Sequence, residues 1–118
     1  MDLQTEMTEL VTDLAKPGIS ILEELSPLQA HSLHMAVGIS GEAGELLDAI
    51  KKHSIYQKPL DKENVIEELG DIEFYMEGLR LGLNISREEV LKHNISKLRK
   101  RYGSSYSNQA AQERADKS

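Results

Sequence analysis

Four carboxylates stand in two pairs of equal spacing, Glu42 with Glu45 and Glu68 with Asp71. In a helix, a spacing of three puts both members of a pair on one side, about a turn apart. If the two pairs converge, the four charges repel one another and are costly to bury without counter-charge. A hard divalent cation supplies it. An all-oxygen ligand set with no Cys and no interleaved His favours Mg²⁺ or Mn²⁺ over zinc or copper. Charge is also segregated along the chain. Residues 42–77 carry ten carboxylates against four lysines, whereas residues 92–101 carry Lys92, Lys97, Arg99, Lys100, Arg101 and no acid. An acidic centre beside a basic segment suits a small polyanion, held through cations by the first and through direct ion pairs by the second.

Helices must position these residues, and their punctuation places four. The first spans about 2–15, with Leu3, Met7, Leu10, Val11 and Leu14 on one face and Lys16-Pro17-Gly18 as its stop. The second opens at Ser26-Pro27-Leu28-Gln29, an N-cap with Pro at the first helical position, and runs to about His53. A short connection containing Lys58-Pro59 returns the third helix, about 62–82, antiparallel to the second. The fourth opens with the capping-box pattern Ser86-Arg87-Glu88-Glu89 and runs to about Tyr102. No strand is expected, and Ile19-Ser20-Ile21 is the one stretch suited to a short extended piece.

On the third helix Val65, Leu69, Ile72, Met76, Leu79 and Leu83 form an apolar stripe, expected to be buried. At about 100° per residue from Val65, Glu68 falls near −60° and Asp71 near −120°, on one shoulder of that stripe. On the second helix, measured from Leu46, Glu42 falls near −40° and Glu45 near −100°, again on one shoulder. The short connection sets the heights, and the four carboxylates interleave within roughly a turn and a half. One such pair alone is ordinary solvated helix charge; two at matching height on matching shoulders suggest a site. Gly38, Gly41, Gly44 and Gly70 interrupt these helices at about 1 kcal/mol each relative to Ala. Close helix approach, or room for a ligand beside the carboxylates, accounts for them.

Composition narrows the classes. The chain has 118 residues, 39% hydrophobic and 29% charged, which is one domain able to bury a modest core. Five aromatics and no Trp, in a chain rich in Leu, Ile, Glu, Lys and Ala, favour an all-α bundle of about four helices. With no Cys, disulfide scaffolds, thiol catalysis and Cys-based metal sites are excluded, which suits the cytoplasm. A net charge of −6 argues against binding a nucleic-acid polymer. No apolar run reaches the length of a membrane span, and the acidic, amphipathic N-terminus is unlike a signal peptide.

The run Gly41-Glu42-Ala43-Gly44-Glu45-Leu46-Leu47-Asp48-Ala49-Ile50-Lys51, then Glu67-Glu68-Leu69-Gly70-Asp71-Ile72, resembles the MazG-type all-α nucleoside triphosphate pyrophosphohydrolases. Their hallmark is E-x2-E, a variable gap, then E-x2-D; here 22 residues separate Glu45 from Glu68. Asn94-Ile95-Ser96-Lys97-Leu98-Arg99-Lys100-Arg101-Tyr102 extends the likeness, which covers about residues 30–102 of a single domain spanning 1–118. The resemblance implies a homodimer or homotetramer that uses Mg²⁺ to cleave a nucleoside triphosphate between its α and β phosphates. It implies Glu42, Glu45, Glu68 and Asp71 as catalytic metal ligands, the same four that spacing selects. It also matches Asn94, Lys97 and Arg101 to a basic helix near the nucleotide. Lys and Arg suit phosphate oxygens, and Asn a sugar hydroxyl or base edge. Lys51, at the end of the second helix, is a further phosphate candidate, and Tyr75, one turn past Asp71, is the aromatic placed to stack on a base.

Two other readings fit part of the pattern. Phosphoribosyl-ATP pyrophosphohydrolase is a related fold with a similar carboxylate set, although the G-E-A-G-E-L-L run is more like the MazG type. A non-catalytic helical regulatory oligomer would use the carboxylates for a structural metal or for nothing. In each case few apolar walls are available from 118 residues, so a neighbouring subunit is expected to complete the pocket.

Overall fold

A computed structural model describes residues 1–103, in which all regular structure is helical: α1 (Leu3–Leu14), α2 (Gly18–Glu24), α3 (Pro27–Ser54), α4 (Lys62–Leu83) and α5 (Arg87–Tyr102). The fold is all-α, as composition and punctuation indicate. The C-terminal tail from residue 104 lies outside the described residues.

The helix ends follow from local chemistry. The Asp2 carboxylate accepts from the Thr5 N–H at 2.7 Å to start α1, and Asp61 caps α4 through the Asn64 N–H at 3.0 Å. Both expected capping boxes form. Ser26 Oγ accepts from the Gln29 N–H at 3.1 Å while Gln29 accepts from the Ser26 N–H at 2.8 Å. Ser86 and Glu89 do the same at the head of α5. Asn84, with φ of 56°, takes the left-handed conformation that ends α4.

The structure adds one helix. Ile19-Ser20-Ile21, the stretch suited to an extended piece, lies inside α2. Pro17 stands at its N-cap in extended backbone, and the Ser26 cap of α3 follows at once. Seven residues are too few for an apolar period to be visible in the sequence. Lys16 and Glu24 pair across the length of this short helix.

Of the described helices, only α3 and α4 pack extensively against each other. Their antiparallel register is marked by three close approaches. A Cβ added at Gly38 would collide with the Tyr75 ring, at Gly78 with Met35 Sδ, and at Gly82 with the His31 ring. His31 Nε2–H also donates to the Gly78 carbonyl at 2.8 Å.

The apolar stripe of α4 is less covered than the sequence suggests. Val65, Ile72, Met76 and Leu79 are half-buried, Leu69 and Leu83 are exposed, and Met35 is the only buried residue among those described. Two helices alone cannot enclose a core. The radius of gyration is 20.4 Å, against about 13–14 Å for a compact domain of this length. α1, α2 and α5 therefore lie open, with apolar faces uncovered. No described helix is long and apolar enough to cross a membrane.

Glycine substitutions read this packing. Gly38→Ala is expected to lower the melting temperature, because a rigid aromatic ring must move at a cost of about 1–3 kcal/mol. Gly41, with nothing within 4 Å of an added Cβ, is expected to gain up to about 1 kcal/mol as Ala. Thermal unfolding at one fixed protein concentration distinguishes the two.

Candidate functional site

Continued toward the α3–α4 connection, the same register sets Glu42 opposite Asp71 and Glu45 opposite Glu68. In an antiparallel pair like shoulders meet, so acids on one shoulder of each helix face each other. Carboxylate oxygens of Glu42, Glu68 and Asp71 lie within 4.8 Å of one another. Glu45 is not a member of that tight group, but it stands close enough for its charge to act on Glu68. Spacing alone therefore identified the cluster and placed Glu45 one step nearer to it than the structure does.

Glu68 is the electrostatic centre. Its carboxyl is held above the ordinary glutamate range, first by loss of solvent, then by its hydrogen bond with Glu42 and by the charges of Glu42, Asp71 and Glu45. Its Oε2 is enclosed without a hydrogen-bond partner. An enclosed, unpartnered carboxylate oxygen between two other acids is an arrangement that a cation would relieve, and the all-oxygen donor set suits a hard divalent one. Glu42 and Glu68 are half-buried, Asp71 and Glu45 exposed, so the cluster opens to solvent on one side. Gly41, Gly44 and Gly70 beside it face open space. Of the two explanations for the glycines, close approach holds at Gly38 and open room at these three.

Tyr75 lies one turn past Asp71, with its ring against Gly38, one turn before Glu42. It meets His34 edge-on with ring centroids 6.2 Å apart, and Phe74 at 5.2 Å. The ring is half-buried and packs into the hairpin next to the carboxylates. Lys51 is turned to another use, with its ammonium 5.8 Å from the Tyr56 ring centroid at the far end of α3. The residues of α5 are also placed differently. Asn94 is exposed and Lys97 and Arg101 are half-buried, but α5 does not pack along the hairpin. A single chain therefore does not wrap these three around the carboxylates.

The sequence reading missed one feature. An apolar groove of about 710 Å³ runs beside the hairpin at its other end, lined by His31, Met35, Phe74, Gly78 and Leu81 and bordered by Arg80. Arg80 pairs with Glu77 at 2.8 Å and reaches Glu73 at 4.0 Å, so these two acids share a cation of the chain's own. The four-residue step from Gly78 to Gly82 was the available signal for close packing there.

A family model, the MazG nucleotide pyrophosphohydrolase domain, matches residues 29–104. The chain belongs to that family. Comparisons with curated proteins and with solved structures return no match. The MazG match begins just inside α3 and spans α4 and α5, leaving α1 and α2 outside it.

Protonation of Glu68 links the site to stability. A carboxyl raised in the folded state stabilises the fold at low pH, and that contribution is lost as pH rises through its folded value. With chelator present, Glu68→Gln is expected to melt above the wild type at about pH 8, with the difference shrinking as pH falls. Mg²⁺ is expected to raise the melting temperature of the wild type and to do far less for Glu68→Gln. Thermal melting across pH, with and without Mg²⁺, checks both.

Proposed function

We propose that this MazG-family chain hydrolyses a nucleoside triphosphate, of the deoxyribonucleotide or non-standard kind included, to the monophosphate and pyrophosphate. The observation that carries the reading is the group of Glu42, Glu68 and Asp71 within 4.8 Å, with Glu45 adjacent, on the hairpin that the family match covers. Glu42, Glu45, Glu68 and Asp71 would hold Mg²⁺, with Mn²⁺ as a substitute. When bound, such a cation neutralises phosphate oxygens and acidifies water. In the reaction water adds to the α-phosphorus and the bond to the α–β bridging oxygen breaks, with pyrophosphate as the leaving group.

The chain's own residues divide the remaining work. Lys97 and Arg101 donate to phosphate oxygens, and Asn94 to a sugar hydroxyl or base edge. Tyr75, packed on Gly38 beside Glu42, presents an aromatic surface at the height of the carboxylates. Lys51, over the Tyr56 ring, would have to swing from that contact to reach a phosphate. Because α5 stands away from the hairpin within one chain, a second copy brings the basic helix and the acidic cluster together. The working form is accordingly a homodimer or homotetramer, and uncovered apolar faces on every helix support it.

Asp71→Ala and Glu45→Ala are each expected to reduce pyrophosphate release at least about a hundredfold while the far-ultraviolet helix signal stays unchanged. Release should require Mg²⁺ and cease with chelator. A triphosphate panel including phosphoribosyl-ATP identifies the substrate. Selective turnover of phosphoribosyl-ATP would move the assignment to that activity, and silence of folded protein across the panel would favour a non-catalytic oligomer.

A further inference from the structure

Of the three helices that lie open among the described residues, α1 and α5 are complementary. α1 exposes Leu3, Met7, Leu10 and Leu14 in steps of four, three and four. α5 carries Leu91, Ile95, Leu98 and Tyr102 in the same steps. Each set makes a narrow stripe two heptads long, the length and period of a helix–helix seam. Leu3 is 83% exposed and Leu98 42%, and Tyr102 at the end of the α5 stripe is half-buried, so among the described residues both stripes lie largely open.

The flanks of the stripes differ in sign. α1 and its cap carry Asp2, Glu6, Glu9 and Asp13, all on one shoulder at about −60° to −120° from Leu3, and no basic residue. α5 beyond its first turn carries only basic charges, and its stripe is bordered by Lys92 and Arg99 at about +80° to +100° from Leu91. In a parallel pair opposite shoulders meet, which sets the acids of α1 against Lys92 and Arg99, whereas an antiparallel pair would use up Lys97 and Arg101, the residues assigned above to the nucleotide. The other shoulder of α5, with Asn94, Lys97 and Arg101, is then left facing away from α1.

Other occupants fit less well. An acidic helix is repelled by anionic lipid surfaces, so α1 is no membrane anchor. The outer faces of the α3–α4 hairpin are apolar but belong to the region with ten carboxylates and four lysines, which repels α1 as well. Within one chain α1 and α5 do not pack on each other.

We propose that α1 of one copy docks in parallel on the apolar stripe of α5 of a second copy, and that the exchange joins two chains. The proposal specifies the surface for the assembly invoked above, but it does not depend on the reaction. The chain has no native Cys, so disulfide trapping is clean. Full-length Leu10→Cys and tagged full-length Leu98→Cys are mixed and oxidised, then resolved by mass. A mixed disulfide dimer is expected as the main product. Only like-with-like dimers, no dimer, or an intrachain link in the doubly substituted chain would each overturn the proposal.

A second measurement guards against misfolding by the cysteine variants. Glu6→Lys with Asp13→Lys should weaken self-association about threefold to tenfold by light scattering. Adding Lys92→Glu and Arg99→Glu to the same chain should restore it. Weakening without restoration, or no weakening, contradicts the charge pairing. Neither readout uses a nucleotide, so a trapped dimer of an inactive protein and an active protein without this dimer are separate results.

Discussion

The antiparallel register of α3 and α4 governs nearly everything else in the molecule. It is held by short-range geometry: a seven-residue connection between capped helices, and glycines at 38, 78 and 82 that accept Tyr75, Met35 and His31. Those contacts work as pegs at successive turns, so the two helices cannot slide by one turn without driving side chains into backbone. Carried four residues beyond Gly38 and Tyr75, the same register sets Glu42 opposite Asp71. The packing end of the hairpin thus aligns the chemical end.

The chemical end works against the fold. Three acids with oxygens within 4.8 Å, one of them enclosed and raised above its ordinary range, are a local instability in the absence of a cation. Elsewhere on α4 the chain meets the same problem with its own cation, Arg80, paired to Glu73 and Glu77. That no Lys or Arg is similarly aimed at Glu68 among the described ion pairs leaves the charge open to an external cation. Gly41, Gly44 and Gly70 keep the space beside it clear. The hairpin is rigid where glycines admit large side chains and open where they meet nothing.

How much of this was legible depended on whether the determining signal was local. Helix ends were, because caps such as Ser26 with Gln29 and Ser86 with Glu89 act within four residues. The acidic cluster was, because its two i,i+3 pairs lie on helices joined by a short connection whose length sets their relative height. α2 was not, since seven residues carry no periodicity, and Ile19-Ser20-Ile21 reads equally well as extended. The seating of Tyr75 on Gly38 and the turning of Lys51 toward Tyr56 were not, because each depends on where a side chain points after packing. The stance of α5 away from the hairpin was not, because no local signal in its sequence fixes what its apolar stripe packs against.

With one buried residue and long uncovered stripes among the described residues, the single chain leaves its candidate site open on one side. The acidic cluster is assembled within one chain, and the basic residues of α5 stand apart from it. The claim that joins them is cleavage at the α–β bond of a nucleoside triphosphate. Phosphorus nuclear magnetic resonance of the products formed with Mg²⁺ tests it directly. Monophosphate and pyrophosphate are expected in equal amounts, with neither formed in chelator. Diphosphate with orthophosphate, or turnover indifferent to Mg²⁺, would contradict it.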